Sequence, residues 1–212
     1  MNTLHFHCDK KKEVNQLLSQ YHYKGFVRNW VSWQVVGSWH LDGGLFGDYG
    51  ECVAGCVFRH PVAPWLNANS MLELARLARN DQCDQPLTKL ISQTVKIIKK
   101  FYPHIHLLIS YADGNEKHFG GIYQAASWCY DGPRNCTNGM IQFDDGRLVH
   151  SRTIGKVLGT GSIKKLNQQG VKCKHVFSIK QLYWRPLNKK GKLLAEEIDL
   201  KKLPYFKPDH KK

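Results

Sequence analysis

Residues 71–113 read MLELARLARNDQCDQPLTKLISQTVKIIKKFYPHIHLLISYAD. Leu87, Leu90, Ile91, Thr94, Ile97, Ile98 and Phe101 recur at helical spacing, and Lys89, Gln93, Lys96 and Lys100 fall on or near the opposite side. That pattern predicts an amphipathic helix over 86–101. Pro86 suits the first turn of a helix, and Pro103 ends it. The near-continuous apolar run His104–Ser110 predicts a strand buried at the centre of a sheet. Met71–Ala78 reads as helix or strand and is broken by Asn80–Pro86.

Outward from this stretch, Leu4, Phe6 and Cys8 alternate with His5 and His7, a short strand. Residues 11–20 predict a helix with Val14, Leu17 and Leu18 as its stripe. Residues 31–40 and 51–58 predict two strands, plausible as a hairpin, and 60–70 is a loop rich in Pro and Asn. Gly120-Gly121 opens a short helix over 121–127, and Trp128-Cys129-Tyr130 starts a strand. Gly132-Pro133-Arg134-Asn135 predicts a turn, 139–150 an irregular hairpin around Asp144-Asp145-Gly146, and 173–185 a last strand. Residues 151–170 read as a basic, glycine-containing segment, and 188–212 as a lysine-rich, proline-punctuated tail. The alternation of strands and helices gives the α/β class with a mixed sheet.

The chain has 212 residues, 42% of them hydrophobic, enough for a real core and against wholesale disorder. Its longest apolar runs, such as Leu107-Leu108-Ile109, fall far short of the roughly 20 residues of a membrane span. The first residues carry no apolar stretch like a signal peptide, so the expectation is a cytoplasmic protein. Net charge is +14, and it is uneven. Residues 1–150 hold 15 basic and 13 acidic residues; residues 151–212 hold 16 and 4. Such asymmetry favours a polyanionic partner, nucleic acid first and an anionic membrane surface second, against the bland reading of a solubilising tail. Among seven cysteines there is no C-x-x-C. Cys52 and Cys56 would share a strand face about 13 Å apart, too far for one metal, and so read as buried reduced thiols.

Glu73-Leu74-Ala75-Arg76-Leu77, Ile109-Ser110-Tyr111-Ala112-Asp113 and Gly121-Ile122-Tyr123-Gln124-Ala125-Ala126-Ser127-Trp128 follow one another in that order. Tyr21-His22-Tyr23-Lys24-Gly25 precedes them, and Lys172-Cys173-Lys174-His175-Val176-Phe177 follows. The succession resembles the phage Mom DNA-modification proteins over about residues 20 to 206. It matches their E-L-x-R-L strand, S-Y-A-D strand end, I-Y-x-A-x-x-F/W helix and, in part, their H-Y-x-G and K-H-R-Y/F elements. The resemblance implies a GNAT-like acyltransferase fold, a central mixed and strongly twisted sheet flanked by helices. It implies a catalytic core over 1–150, with 151–212 completing the sheet and contacting double-stranded DNA. It further implies a transferase in the cytoplasm of the bacterial host that converts adenine in DNA to N6-methylcarbamoyl adenine as an anti-restriction device. Acetyl-CoA or a related CoA thioester is the implied donor, and Fe²⁺ is a second candidate cofactor. The other two readings are a GNAT-type enzyme acylating an RNA or a small amine, and a non-catalytic nucleic-acid-binding module.

On that resemblance Leu77, Arg79, Leu87 and Thr88 would hold the donor. The loop Arg79–Pro86 departs from the usual phosphate cradle: it has no glycine, and Asp81 and Asp84 oppose an anion. Ser110 and Asp113 end a central strand, where sites of open α/β sheets gather; Asp113 is a candidate base or metal ligand, and Asp113-Gly114-Asn115 reads equally as a turn. Tyr123 stands where many GNAT enzymes place the tyrosine that protonates a departing thiolate, or it simply packs on the sheet. Tyr23 can stack on a flipped adenine, and His22 can take a proton or bind a metal; a surface histidine is the commoner case. Arg76, if in a strand, shares the apolar face of Leu72 and Leu74 and needs an anion or a carboxylate there. His22, Asp113 and His118, with Glu116, are the candidate iron ligands. Lys156, Lys164, Lys165, Lys172 and Lys174 are the candidate phosphate contacts.

Overall fold

A computed structural model of the chain describes residues 3–22, 33–43, 49–63, 66, 69–114 and 118–205. Its elements are β1 (Leu4–His7), α1 (Lys11–Tyr21), β2 (Trp33–Leu41), β3 (Cys52–Arg59), β4 (Met71–Arg79), α2 (Leu87–Phe101) and β5 (Leu107–Asp113). There follow α3 (Gly121–Ala125), β6 (Cys129–Phe143), β7 (Leu148–His150), α4 (Ser151–Leu158), α5 (Ile163–Gln168), β8 (Cys173–Pro186) and α6 (Lys189–Glu197). The strands form one sheet in the order β1-β2-β3-β4-β5-β8-β6-β7. β1 to β4 pair antiparallel, and β4 pairs parallel with β5, so the sheet is mixed as expected.

Contacts divide the chain into two compact units. The first comprises residues 1–112, 120–132 and 182–212, and the second 113–119 and 133–181. In the first unit α2 covers one sheet face: Leu90, Ile91, Val95 and Ile98 pack on Phe58, Leu72, Leu74 and Leu108. The opposite face lies under α1, whose Val14, Leu17 and Leu18 meet Val36, Val57 and Ala78. Ala195 of α6 packs with Met71, Leu107, Ile109, Leu182 and Trp184. In the second unit Ile141, Ile154 and Leu166 form a small core.

Met71–Ala78, ambiguous by pattern, is strand. It is broken by a bulge: Phe58 pairs with Leu74 while Val57 pairs with Arg76, which leaves Ala75 over. One extra residue reverses the side-chain alternation. Leu77 therefore joins Leu72 and Leu74 on the α2 side, and Ala78 joins the core under α1. Arg76 shares the face of Ala78, not that of Leu72 and Leu74 as strict alternation predicts. The same device corrects the cysteines. Trp39 pairs with Ala54 and His40 with Cys52, which leaves Val53 over. Cys52 and Cys56 consequently pack in different cores on opposite faces. Both are free thiols, and burial pushes them up to about 12 and about 11, so they stay protonated.

Other expectations change for local reasons. Phe101 is 60% exposed, because α2 ends there and Val95 fills the buried stripe. The predicted turn at Gly132–Asn135 is absent, and β6 runs straight through it. Gly132 takes φ +122, and the break between the two units falls between Gly132 and Pro133. The pair marks a discontinuity of packing within a strand, not of the strand itself. The segment 151–170 contains α4 and α5, and the lysine-rich tail begins with α6, capped where the Asn188 side chain accepts from the Gly191 N–H at 2.9 Å. No described helix is long and apolar enough to cross a membrane.

Candidate active site

The parallel ladder between β4 and β5 is short. Met71, Leu72 and Glu73 pair with Leu107, Leu108 and Ile109, and the pairing stops there although both strands continue. A buried carbonyl past the last ladder position needs another donor. The Ser110 hydroxyl supplies it, donating to the Leu74 carbonyl at 2.8 Å. The Arg76 guanidinium donates in turn to the Ala75 carbonyl at 2.7 Å. Side chains thus satisfy β4 where β5 no longer does.

Ser110 is fully buried, and its Oγ lies 2.7 Å from the Tyr123 hydroxyl. A serine hydroxyl has one proton, and a carbonyl can only accept. Ser110 therefore gives its proton to Leu74, and Tyr123 donates to Ser110. Burial pushes the Tyr123 phenol up to about 12, against a smaller opposing effect of Ser110. Tyr123 is a neutral donor throughout the physiological range. The Gly120 N-cap of α3 sets its position, at φ +81, with Tyr183 packed where a Cβ would stand. Only glycine fits there. Tyr123 stacks obliquely between Trp128, at 5.4 Å, and Tyr183, at 5.1 Å; Tyr130 lies 5.1 Å beyond Tyr183. The Trp128 indole nitrogen is buried without a hydrogen-bond partner among the described residues.

Beside this constellation Glu73 is buried with Arg59 at 3.3 Å and accepts from the Val62 N–H at 3.4 Å. Sequence reading missed this ion pair; its only signal was a carboxylate inside an apolar strand. It also missed the Leu74 carbonyl and the packing of Trp128, Tyr130 and Tyr183 around Tyr123. A backbone carbonyl leaves no mark in a sequence, and nothing local to Tyr123, Trp128 and Tyr130 shows that the distant Tyr183 packs among them.

The remaining expected residues are placed as follows. Leu77 and Leu87 are half-buried against the α2-side core. Thr88 is half-buried in the first turn of α2, which starts behind Pro86 with no side-chain cap. Arg79 is exposed at the end of β4 and donates to the Cys83 and Gln85 carbonyls at 3.4 and 3.3 Å, which ties down the loop before α2. His22 closes α1, its N–H bonded to the Leu18 carbonyl at 3.1 Å. Asp113 is buried at the end of β5, and its carbonyl accepts from the N–H of exposed His118 at 3.1 Å. Asp113 and His118 belong to the second unit; Ser110, Tyr123, Arg76 and His22 belong to the first. Tyr23 and Glu116 lie outside the described residues. No group of three or more His, Cys, Asp or Glu among the described residues is placed to hold a metal. Lys156, Lys164, Lys165, Lys172 and Lys174 are all exposed, and none is in an ion pair among the described residues.

No curated protein matches the chain. Solved structures do. A GNAT family N-acetyltransferase, YhbS, from Escherichia coli in complex with CoA is similar at 9% identity and TM-score 0.51, covering 90% of this chain and 85% of that one. An N-acetyltransferase from Staphylococcus aureus is similar at 11% identity and TM-score 0.50, covering 88% and 99%. At such identity the likeness establishes the fold, which is GNAT-like, with a mixed central sheet and flanking helices. The family model described as the Mom protein family matches residues 3–207, nearly the whole chain. With that match over nearly its whole length, the chain belongs to the Mom protein family.

Proposed function

We propose that this protein is an acyl- or carbamoyl-type transferase acting on the exocyclic amine of adenine in DNA, forming N6-methylcarbamoyl adenine. Membership of the Mom family supports the substrate, and the GNAT-like fold supports group transfer from a CoA-type donor. The observation that carries the reading is the buried Tyr123–Ser110–Leu74 hydrogen-bond chain at the parting of β4 and β5.

The residues present fit a CoA-type donor in part. Beyond Glu73 the facing edges of β4 and β5 no longer pair with each other, and since Ser110 and Arg76 already occupy the Leu74 and Ala75 carbonyls, an extended amide arm would pair with the other main-chain groups of the parted edges. The first turn of α2, around Leu87 and Thr88, has no side-chain cap and suits a diphosphate, with Leu77 on the neighbouring strand. Arg79 shapes the loop instead of reaching for phosphate. When bound, such a donor would supply an activated carbonyl carbon, and the methylcarbamoyl product requires that carbonyl to carry its methylamino group already, because an acetyl thioester would deliver only acetyl.

Transfer to the amine would form one N–C bond to the carbonyl carbon and break that carbon's C–S bond; the nitrogen loses one proton, and the leaving thiolate takes one up as the free thiol. Tyr123 is not the base at neutral pH, because its proton is held by burial and engaged by Ser110. It orients and donates. We assign the amine proton to the Asp113 carboxylate, with a base removed from the duplex before its amine is accessible. Tyr23 and His22 are assigned to the extruded base. His22, Asp113 and His118 do not fit an iron site among the described residues, and no step is derived through one.

The test is nucleoside mass spectrometry of bacterial DNA after expression, against an empty vector. A heavier deoxyadenosine is expected, absent with Asp113→Asn. No new deoxyadenosine with folded protein present would overturn the assignment, and tRNA nucleosides would then be examined.

A further inference from the structure

The second unit carries a cavity of about 430 Å³ that the proposed chemistry does not use. Its size lies within the roughly 300–1,000 Å³ of small-molecule sites. Its walls include Gln142 and Phe143 at the end of β6, Asp144 in the turn after it, Asn167 near the end of α5, Lys172 just before β8 and Lys174 at its start. All belong to one compact unit.

The wall chemistry is mixed in a specific way. Lys172, Lys174 and Asp144 are exposed and form no ion pair among the described residues. Gln142 is half-buried, and its side chain makes no hydrogen bond among the described residues. Phe143 is half-buried beneath the Arg147 guanidinium at 5.6 Å, and Asp145 holds that guanidinium at 2.6 Å. The Asn167 side-chain oxygen accepts from the Cys173 N–H at 3.2 Å and so fixes α5 against β8. The cavity therefore offers two cations, one carboxylate acceptor, one amide able to donate and accept, and an apolar ring. A free phosphate would satisfy the lysines but be repelled by Asp144. An apolar ligand would leave four polar groups unpaired. A nucleotide satisfies the polar groups: phosphate on the lysines, an exocyclic amine on Asp144, and ring nitrogen or carbonyl on Gln142; Phe143, packed on the small core with Arg147 over its ring, forms the apolar wall beside them.

We propose that this cavity holds one unpaired nucleotide of DNA whose base carries an exocyclic amine, and so reads sequence context. The inference rests on the DNA-modifying reading above. Thymine, with no amine, is the base it excludes.

The experiment is fluorescence anisotropy of the full chain with labelled duplexes. Each is either fully paired or carries one unpaired cytosine, one unpaired thymine or one abasic residue. The duplex with unpaired cytosine is expected to bind roughly tenfold tighter than that with thymine, the discrimination typical of one good polar base contact. Asp144→Ala with Gln142→Ala should erase that difference while raising affinity for all the duplexes alike, the abasic one included, because a charge opposing phosphate is lost. Lys172→Ala with Lys174→Ala should weaken all four alike. Equal affinity for cytosine, thymine and abasic duplexes would overturn the proposal, as would discrimination that survives the Asp144/Gln142 pair. The changed positions are half-buried or exposed, and a thermal melt checks the fold. Modified deoxyadenosine in cells without base discrimination would sink the cavity and leave the enzyme; discrimination without modified deoxyadenosine would do the reverse.

Discussion

Ser110 and Tyr123 illustrate how one side chain decides the state of another. Ser110→Ala leaves both the Leu74 carbonyl and the Tyr123 hydroxyl buried without a partner. Such orphans cost about 1–3 kcal/mol each. A clear drop in the urea midpoint is expected, together with loss of the modified nucleoside. Tyr123→Phe keeps the Ser110–Leu74 bond, so its stability should stay within about 1.5 kcal/mol of the parent while modification falls. If both variants modify DNA normally, the pair is structural only. The pH dependence has a definite sign. The folded Tyr123 phenol is raised to about 12, above the roughly 10 of an unfolded tyrosine. Its contribution is complete below pH 10 and is lost as pH rises through 12, because the unfolded chain releases that proton first. Alkaline unfolding curves should be shallower in Tyr123→Phe, though not flat, since burial also raises Tyr130 and Tyr183.

At the scale of elements, the bulge in β4 performs a task that no side chain could. Ala75 shifts Arg76 to the α1 side and Leu77 to the α2 side. Deleting Ala75 restores strict pairing and exchanges the faces of every residue beyond it. The expected result is loss of cooperative unfolding in a thermal melt; a two-state melt near the parent temperature would show that the bulge is dispensable. The α3 turn is a second such device. Gly120→Ala combines an unfavourable left-handed φ with overlap on Tyr183. It should destabilise the fold by at least about 1–2 kcal/mol and displace Tyr123, read as a lower melting temperature together with lost modification.

For the whole molecule, charge favours a polyanionic partner and packing sets the sites. The second unit holds ten lysines and arginines against four acidic residues. Lys156, Lys164 and Lys165 form no ion pair among the described residues, so phosphates are their natural counter-ions. Replacing Lys164 and Lys165 with alanine should reduce the slope of log affinity against log salt by about 0.9 for each phosphate no longer neutralised, equally for all DNA sequences. An unchanged slope would place the DNA elsewhere. Helices α4 and α5 carry three of these cations, and sequence reading left both inside an unassigned basic segment. Their six to eight residues give too short a period to register, and their glycines read as loop.

By itself the sequence determined the α/β class, the amphipathic α2, the central strand β5, the basic second half and the family to which the chain belongs. All of these are local or compositional: hydrophobic period, charge count and short motifs in order. Tertiary structure alone decided where alternation breaks. A bulge is one unpaired residue, defined by its partner strand and not by its own identity, so Ala75 and Val53 look ordinary in sequence. It alone decided that Tyr123 gives its proton to Ser110 and Ser110 to Leu74, because that chain joins residues 36 and 13 positions apart through a point where two strands part. Eight wall residues drawn from β6, its following turn, α5, β8 and the residue before it likewise become a cavity only when the second unit folds. Periodicity reports which side of an element is buried; it carries no information on which distant atoms the burial brings within hydrogen-bonding reach.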